Sequence, residues 1–85
     1  MKRFKVAAIS SNTNSFGLHR FILVAEDGEV WYAHKNKQYA PLAQGDVVDL
    51  TDDPATVLCR HGFEIPERGP KAPIEVANEV WGKAA

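Results

Sequence analysis

Disulfides and long apolar runs are both missing from this chain of 85 residues. The single cysteine, Cys59, cannot form an intramolecular disulfide, which favours a reducing compartment over a small secreted scaffold. The basic segment 2–5 resembles the start of a signal peptide, but the polar residues 10–15 follow too soon for its apolar region. No window reaches the length of a membrane span. We therefore expect a cytoplasmic protein that makes no contact with a membrane.

Motifs for catalysis and for metal binding are missing as well. The Cys-Arg-His run at 59–61 lacks the paired spacing of a structural zinc site, so we expect Cys59 to be buried. The acids between 46 and 53 lack the glycine and final Glu of an EF-hand loop and are expected to form turns and solvated strand faces. No nucleophile motif or Gly-rich phosphate loop occurs. We expect a protein that is not an enzyme and holds no metal or cofactor.

An excess of basic charge is also lacking. The formal net charge is -1, which counts against a strong, non-specific nucleic-acid binder. The charges are unevenly placed, however. Acids gather at 26–29 and 46–53, whereas Arg20, Lys35 and Lys37 lie near the open end of a predicted hairpin. A local basic edge is therefore compatible with the acidic total.

Short apolar runs separated by turn signals predict a β-rich fold. Two of them, 20–25 and 29–34, flank Asp27-Gly28, the strongest local signal for a hairpin with a type I′ turn. The other strands are predicted at 4–9, 47–50 and 55–59, with Asp52-Asp53-Pro54 as the turn before the last. Five short strands at this spacing indicate an all-β domain built as a small closed or half-closed barrel.

The end of the chain is different in character. Residues 61–72 are broken by proline and glycine and are predicted to be an irregular linker after the barrel at 1–60. Segment 73–85 is predicted as a helix or tail that packs on the barrel, with Pro73 at its first position and Gly82 ending the helix. A short strand is the alternative, because Ile74 and Val76 also fit an alternating pattern.

The predicted hairpin has two apolar faces, although a barrel interior needs only one. With a two-residue loop at Asp27-Gly28, one face carries the cross-strand pairs Ala25–Val30, Leu23–Tyr32 and Phe21–His34. The second face is either covered by the C-terminal segment, with Ile74 and Trp81, or exposed for binding. What covers it therefore decides the function.

The candidate site lies on this hairpin. If exposed, Phe21, Tyr32 and His34 form a platform on which bases stack, and Arg20, Lys35 and Lys37 contact phosphates. This arrangement predicts a domain that binds single-stranded RNA or DNA. The alternative is a module that binds a protein partner or a second copy of itself through the apolar hairpin face or the C-terminal helix.

One stretch resembles a known family. Segment 26–34, Glu-Asp-Gly-Glu-Val-Trp-Tyr-Ala-His, followed by Gly45-Asp46-Val47-Val48, is similar to OB-fold domains of the cold-shock and bacterial translation-initiation-factor type. The resemblance covers about 4–59. It implies an OB-type barrel in which Tyr32 and His34 present their rings to bases. Because a Gly-Asp-x-Val strand entry also occurs in SH3-like barrels, that fold is the second choice.

Overall fold

Five strands and two helices make up the domain. The computed structural model describes residues 2–36, 42–50 and 53–83. The strands are β1 (Arg3–Thr13), β2 (His19–Ala25), β3 (Val30–Lys35), β4 (Val47–Asp49) and β5 (Glu64–Arg68), and the helices are α1 (Pro54–Arg60) and α2 (Ile74–Trp81). All paired strands are antiparallel, in the order β4-β1-β2-β3-β5. The prediction of a small domain built mainly of β-strands is confirmed.

The β2–β3 hairpin forms where it is predicted, but its register differs by one residue. The N–H of Ala25 donates to the carbonyl of Glu29 at 2.8 Å, so Glu26, Asp27 and Gly28 form a three-residue loop. Gly28 alone adopts a positive φ in this loop, +96°, whereas a type I′ turn requires it at both central residues. The predicted two-residue loop is wrong because the chain avoids the left-handed region at Asp27.

This difference in register places each β3 side chain on the opposite face of the sheet from the one predicted relative to β2. The observed pairs are Val24–Val30, Leu23–Trp31, Ile22–Tyr32, Phe21–Ala33 and Arg20–His34. Because side chains along a strand alternate between the two faces, a register shift of one residue moves all the side chains of one face to the other face. Phe21 therefore shares its face with Trp31, and not with Tyr32 and His34 as predicted.

The main core lies on the face that carries Phe21. Ten buried residues form it: Phe4, Val6, Phe21, Leu23, Ala25, Trp31, Ala33, Leu50, Leu58 and Phe63. The rings of Phe21 and Phe63 meet edge to face at 5.2 Å, a favoured aromatic geometry. Helix α1 closes this side through Leu58, its one buried residue.

Helix α1 occupies the segment predicted as the fifth strand, so that prediction is wrong. Asp53 caps the helix: its Oδ1 accepts from the N–H of Ala55 at 3.2 Å, and its Oδ2 accepts from the hydroxyl of Thr56 at 2.8 Å. Pro54 follows at the first helical position, where its missing N–H costs nothing. Cys59 lies on the exposed side of α1, which contradicts its predicted burial.

Strand β5 lies inside segment 61–72, which the sequence predicts to be irregular. That prediction is wrong for Glu64–Arg68. Its Pro66 is tolerated because β5 is an edge strand that pairs, among the described strands, with β3 alone. Within the described residues β4 and β5 are the two edges of the sheet and do not pair with each other. The sheet is open over the part of the chain that the structure describes.

Helix α2 lies on the other face of the sheet, as the sequence predicts for the C-terminal segment. Ala77 is fully buried against Val24 and Val30, and the indole N–H of Trp81 donates to the carbonyl of Val24 at 3.0 Å. Gly82 ends the helix in the left-handed conformation. Ile74, which we expected to cover the sheet, is instead 54% exposed. No helix among the described residues has the length and apolar character needed to cross a membrane.

Candidate nucleic-acid interface

Phe21 is not part of any exposed surface. Its side chain is fully buried in the main core against Phe63. The predicted role of Phe21 as a stacking ring is therefore wrong, because a base cannot reach a ring with no accessible surface. The one-residue difference in hairpin register is the physical cause.

Lys35 also falls outside the surface around Tyr32. Lys35 lies on the core face of β3, where its ammonium donates to the carbonyl of His61 at 2.8 Å and lies 5.4 Å from the Phe63 ring. Its charge is thus held by the chain itself on the side away from Arg20. Lys37 lies outside the described residues.

Three of the predicted residues do come together. Arg20, Tyr32 and His34 share the second face of the β2–β3 hairpin, and Arg20 is directly opposite His34. The guanidinium carbon of Arg20 lies 5.0 Å from the centroid of the Tyr32 ring. Arg20 is exposed, whereas Tyr32 and His34 are half-buried. We call these three residues the Arg20 surface.

Gly69 supports this surface from the strand β5 side. A Cβ atom at Gly69 would lie 2.6 Å from Cε2 of Tyr32, so only glycine lets the ring pack against the backbone here. The N–H of Gly69 donates to the carbonyl of Val30 at 2.9 Å and fixes that backbone. The Tyr32 ring is therefore held in place between Gly69 and Arg20.

A depression of about 250 Å³ adjoins Arg20 and His34. The end of β1 and the loop after it form its other wall, through Ser10, Asn12 and Asn14 among others. The Ser10 hydroxyl accepts from the backbone N–H of Arg20 at 2.9 Å and donates to the carbonyl of Asn12 at 2.8 Å. These bonds hold the depression next to the guanidinium.

Two features of this region were not predicted from the sequence: the exposure of Phe16 and the environment of His34. Phe16, at the tip of the β1–β2 loop, is 77% exposed, the largest exposure of any big apolar side chain in the described chain. The Nδ1 atom of His34 is buried and has no hydrogen-bond partner among the residues that the structure describes. The sequence signal for Phe16 is a lone aromatic residue in a polar loop, but nothing local in the sequence indicates the environment of His34.

The acidic and basic groups around the Arg20 surface lie on opposite sides of it. Glu67 is the β5 partner of Tyr32, and Glu64 is the partner of His34, so two exposed carboxylates border the surface on that edge. Arg20 lies on the opposite side, next to β1. A phosphate would therefore approach from the β1–β2 side, away from these acids.

A separate set of charges stabilises the hairpin loop. The ammonium of Lys2 lies 2.9 Å from Asp27 and 3.2 Å from Glu29. The hydrogen bond from Lys2 holds the pKa of Asp27 below its usual range, and the same bond raises the pKa of Lys2. Lys83, and after it Arg3, lowers the pKa of the Glu26 carboxyl. These groups fix the loop end of the hairpin, and they lie apart from the residues that line the depression.

Similarity to other proteins gives no further guide. The chain matches no known protein family, no curated protein and no solved structure. Within the described residues, no three His, Cys, Asp or Glu side chains are grouped to hold a metal ion. The function is therefore inferred from the geometry of the Arg20 surface.

Proposed function

We propose that this domain is a non-catalytic binder of single-stranded nucleic acid, and that the Arg20 surface is its contact site. The observation that carries the proposal is the exposed guanidinium of Arg20 held over Tyr32 beside His34. Stacking platforms next to cationic groups are how sequence-tolerant single-strand binders hold bases and phosphates.

The stacking partner in this proposal is Arg20 rather than Tyr32. The Tyr32 ring is half-buried and carries the guanidinium, so a base meets the outer side of Arg20. A planar guanidinium stacks on aromatic systems and also pairs with phosphate oxygens. Tyr32 then acts as a support that fixes the orientation of Arg20.

The depression beside Arg20 supplies polar contacts for a base edge. Asn12 and Thr13 are exposed there, and amide and hydroxyl groups bond to the donors and acceptors of unpaired bases. Phe16, exposed at the loop tip of the same strand pair, offers a ring for a neighbouring base.

The acids near the surface set the strength of binding. Glu64 and Glu67 repel phosphates along β5, so the number of phosphate contacts is small. Each contact with a single strand contributes a slope of about 0.7 to the fall of log affinity with log salt. We expect modest affinity with a shallow salt dependence.

The fold supports a finer proposal, that the domain is an OB-type barrel in a reducing, cytoplasmic compartment. Strands β1, β2 and β3 form a meander, and closure would require only that the edge strands β4 and β5 meet where α1 joins them. The free thiol of Cys59 is exposed, which suits a reducing environment.

Fluorescence anisotropy with a labelled single-stranded oligonucleotide tests the function. Arg20→Ala should weaken binding by about 1 to 3 kcal/mol, the range for loss of one stacked base. It should also lower the salt slope by about 0.7. Arg60→Ala is the matched control, because Arg60 is an exposed arginine on α1, away from the Arg20 surface. Equal losses in both variants, or no binding by the wild-type chain at low salt, would contradict the proposal.

A further inference from the structure

A second depression, of about 400 Å³, lies between α2 and the loop that enters β4. It is lined by Ala7 and Gly45 on one side and by Val76 and Val80 of α2 on the other. We call it the α2–β4 groove. It shares no lining residue with the depression beside Arg20, so the two surfaces can be occupied independently.

Apolar side chains are exposed along this groove. Val76 on α2 is 44% exposed, and Val47 on β4 is 45% exposed. Val47 is the cross-strand partner of Lys5, which lines the groove, so Val47 lies on the same face of the sheet. Large exposed apolar side chains in the wall of a groove and beside it mark a surface that a partner covers.

The groove also carries one charge of each sign. Lys5 extends from β1, with its ammonium 4.9 Å from the centroid of the Trp81 ring, and Glu79 extends from α2. Within the described part of the chain, neither Lys5 nor Glu79 has an ion-pair partner. The groove therefore presents a cation and an anion whose charges are not neutralised by an ion pair within the described chain.

We propose that the α2–β4 groove is a homodimer interface, with a second copy of this chain as its occupant. A two-fold axis through the groove brings the same patch of both copies together. Lys5 of one copy then faces Glu79 of the other, and the reverse pair forms by symmetry. The Val76 side chain of each copy fills the groove of its partner. A patch that carries both a cation and an anion is complementary to a second copy of itself. Binding to an unrelated partner does not require this self-complementarity, so a second copy is the favoured occupant.

Sedimentation velocity on the full chain over a concentration series tests this interface. The wild-type chain should form a compact dimer. Val76→Glu should leave it monomeric, since a charge enters the apolar part of the contact. Ile74→Glu is the matched control: Ile74 is on the same helix and 54% exposed, but it does not line the groove. It should leave the dimer unchanged.

Charge reversal provides a test that does not depend on apolar burial. Lys5→Glu and Glu79→Lys should each weaken the dimer by more than about tenfold, because like charges then face each other twice. The double variant should restore dimerisation, because the opposite charges are exchanged between positions. Thermal melts check that each variant folds, since Lys5 also contacts Trp81. Three results would each overturn the proposal. They are a wild-type chain that is monomeric at all concentrations, equal effects of Val76→Glu and Ile74→Glu, and no recovery of the dimer in the Lys5→Glu/Glu79→Lys double variant.

Discussion

The guanidinium carbon of Arg20 lies 5.0 Å from the centroid of the Tyr32 ring, and the backbone at Gly69 lies against the same ring. Tyr32 is therefore a support for Arg20. We predict that Tyr32→Ala weakens nucleic-acid binding about as much as Arg20→Ala. The double variant should bind no more weakly than either single variant, because both changes remove the same contact. Anisotropy titrations of the three variants measure this coupling.

Tyr32→Phe is the control for this cycle. It keeps the ring beneath Arg20 and removes only the hydroxyl, so binding should stay close to that of the wild-type chain. Additive losses in the double variant would show that Tyr32 touches the nucleic acid by itself, which would contradict its role as a support.

The hairpin loop at Gly28 gives a test of the fold. Gly28 has a φ of +96°, and a Cβ atom there would lie 2.5 Å from the carbonyl oxygen of Ala72. Gly28→Ala should therefore strain the loop and break the hydrogen bond from Ala72 N–H to Gly28 O. Gly17→Ala is the control, because Gly17 has a similar φ of +77° but open space around it.

The strain alone should cost Gly17→Ala about 1 to 2 kcal/mol. Gly28→Ala should lose at least about 1 kcal/mol more, since a buried hydrogen bond is disrupted as well. Urea unfolding of the two variants gives both numbers. If the two losses are equal, the segment around Ala72 does not pack on the hairpin loop as the structure shows.

Trp81 fixes the end of α2 to the sheet. Its indole N–H donates to the carbonyl of Val24, and its ring contacts the cations Arg3 and Lys5. Trp81→Phe keeps a ring and loses the hydrogen bond, so the free energy of unfolding should fall by about 1 kcal/mol. Trp81→Leu removes the ring too and should cost about 0.5 to 1 kcal/mol more. Equal stability of the wild-type chain and both variants would show that the contacts of Trp81 do not fix α2 to the sheet.

The charges of the hairpin loop predict how stability changes with pH. The pKa of Asp27 is lowered by Lys2, so the folded chain binds its proton less readily than the unfolded chain does. Its contribution is present above the ordinary carboxyl pKa of about 4 and is lost as the pH falls through the lowered folded value. The raised pKa of Lys2 acts in the opposite sense: its contribution is lost as the pH rises above about 10.

Thermal melts between neutral and acidic pH measure the acid side of this dependence. Asp27→Asn keeps the acceptor for the backbone N–H of Glu29 but cannot ionise, so its melting temperature should fall less on acidification. The difference should be small and should shrink in high salt, because the Asp27 side chain is 53% exposed. A steeper fall in the variant than in the wild-type chain would contradict this assignment.

The positions of most elements could be predicted from local chemistry. The Asp27-Gly28 pair indicates the hairpin, Gly45-Asp46 indicates the start of β4, and Pro73 with Gly82 bounds α2. The faces of the hairpin could not be predicted in the same way. Asp-Gly suits a two-residue loop and also a three-residue loop that ends in Gly28, and the difference is one residue of register.

Two other errors have similar causes. Asp53-Pro54 is a turn signal and also a helix-start signal, and only the packing of Leu58 in the core decides between them. Pro66 argues against a strand in general, but not against an edge strand such as β5. In each case the tertiary contacts decide what the local sequence leaves open.

The candidate site was predicted in part. Tyr32 and His34 share a surface, as expected, because residues two apart on β3 face the same side of the sheet. Arg20 joins them through the observed Arg20–His34 pairing, whereas the predicted pairing placed Phe21 opposite His34. The acids that border this surface come from β5, a strand that the sequence did not indicate. Their positions depend on a long-range pairing that no local pattern encodes.

The most direct test of the central claim is an NMR titration of the labelled chain with a short single-stranded oligonucleotide at low salt. We predict that the largest amide shifts occur at 10–20 and 32–34, around the Arg20 surface, and that they shrink as salt is raised. The amide signals of residues 54–60 in α1 should not shift. Shifts confined to α1 or α2, or no shifts at all at low salt, would contradict the claim that the Arg20 surface binds nucleic acid.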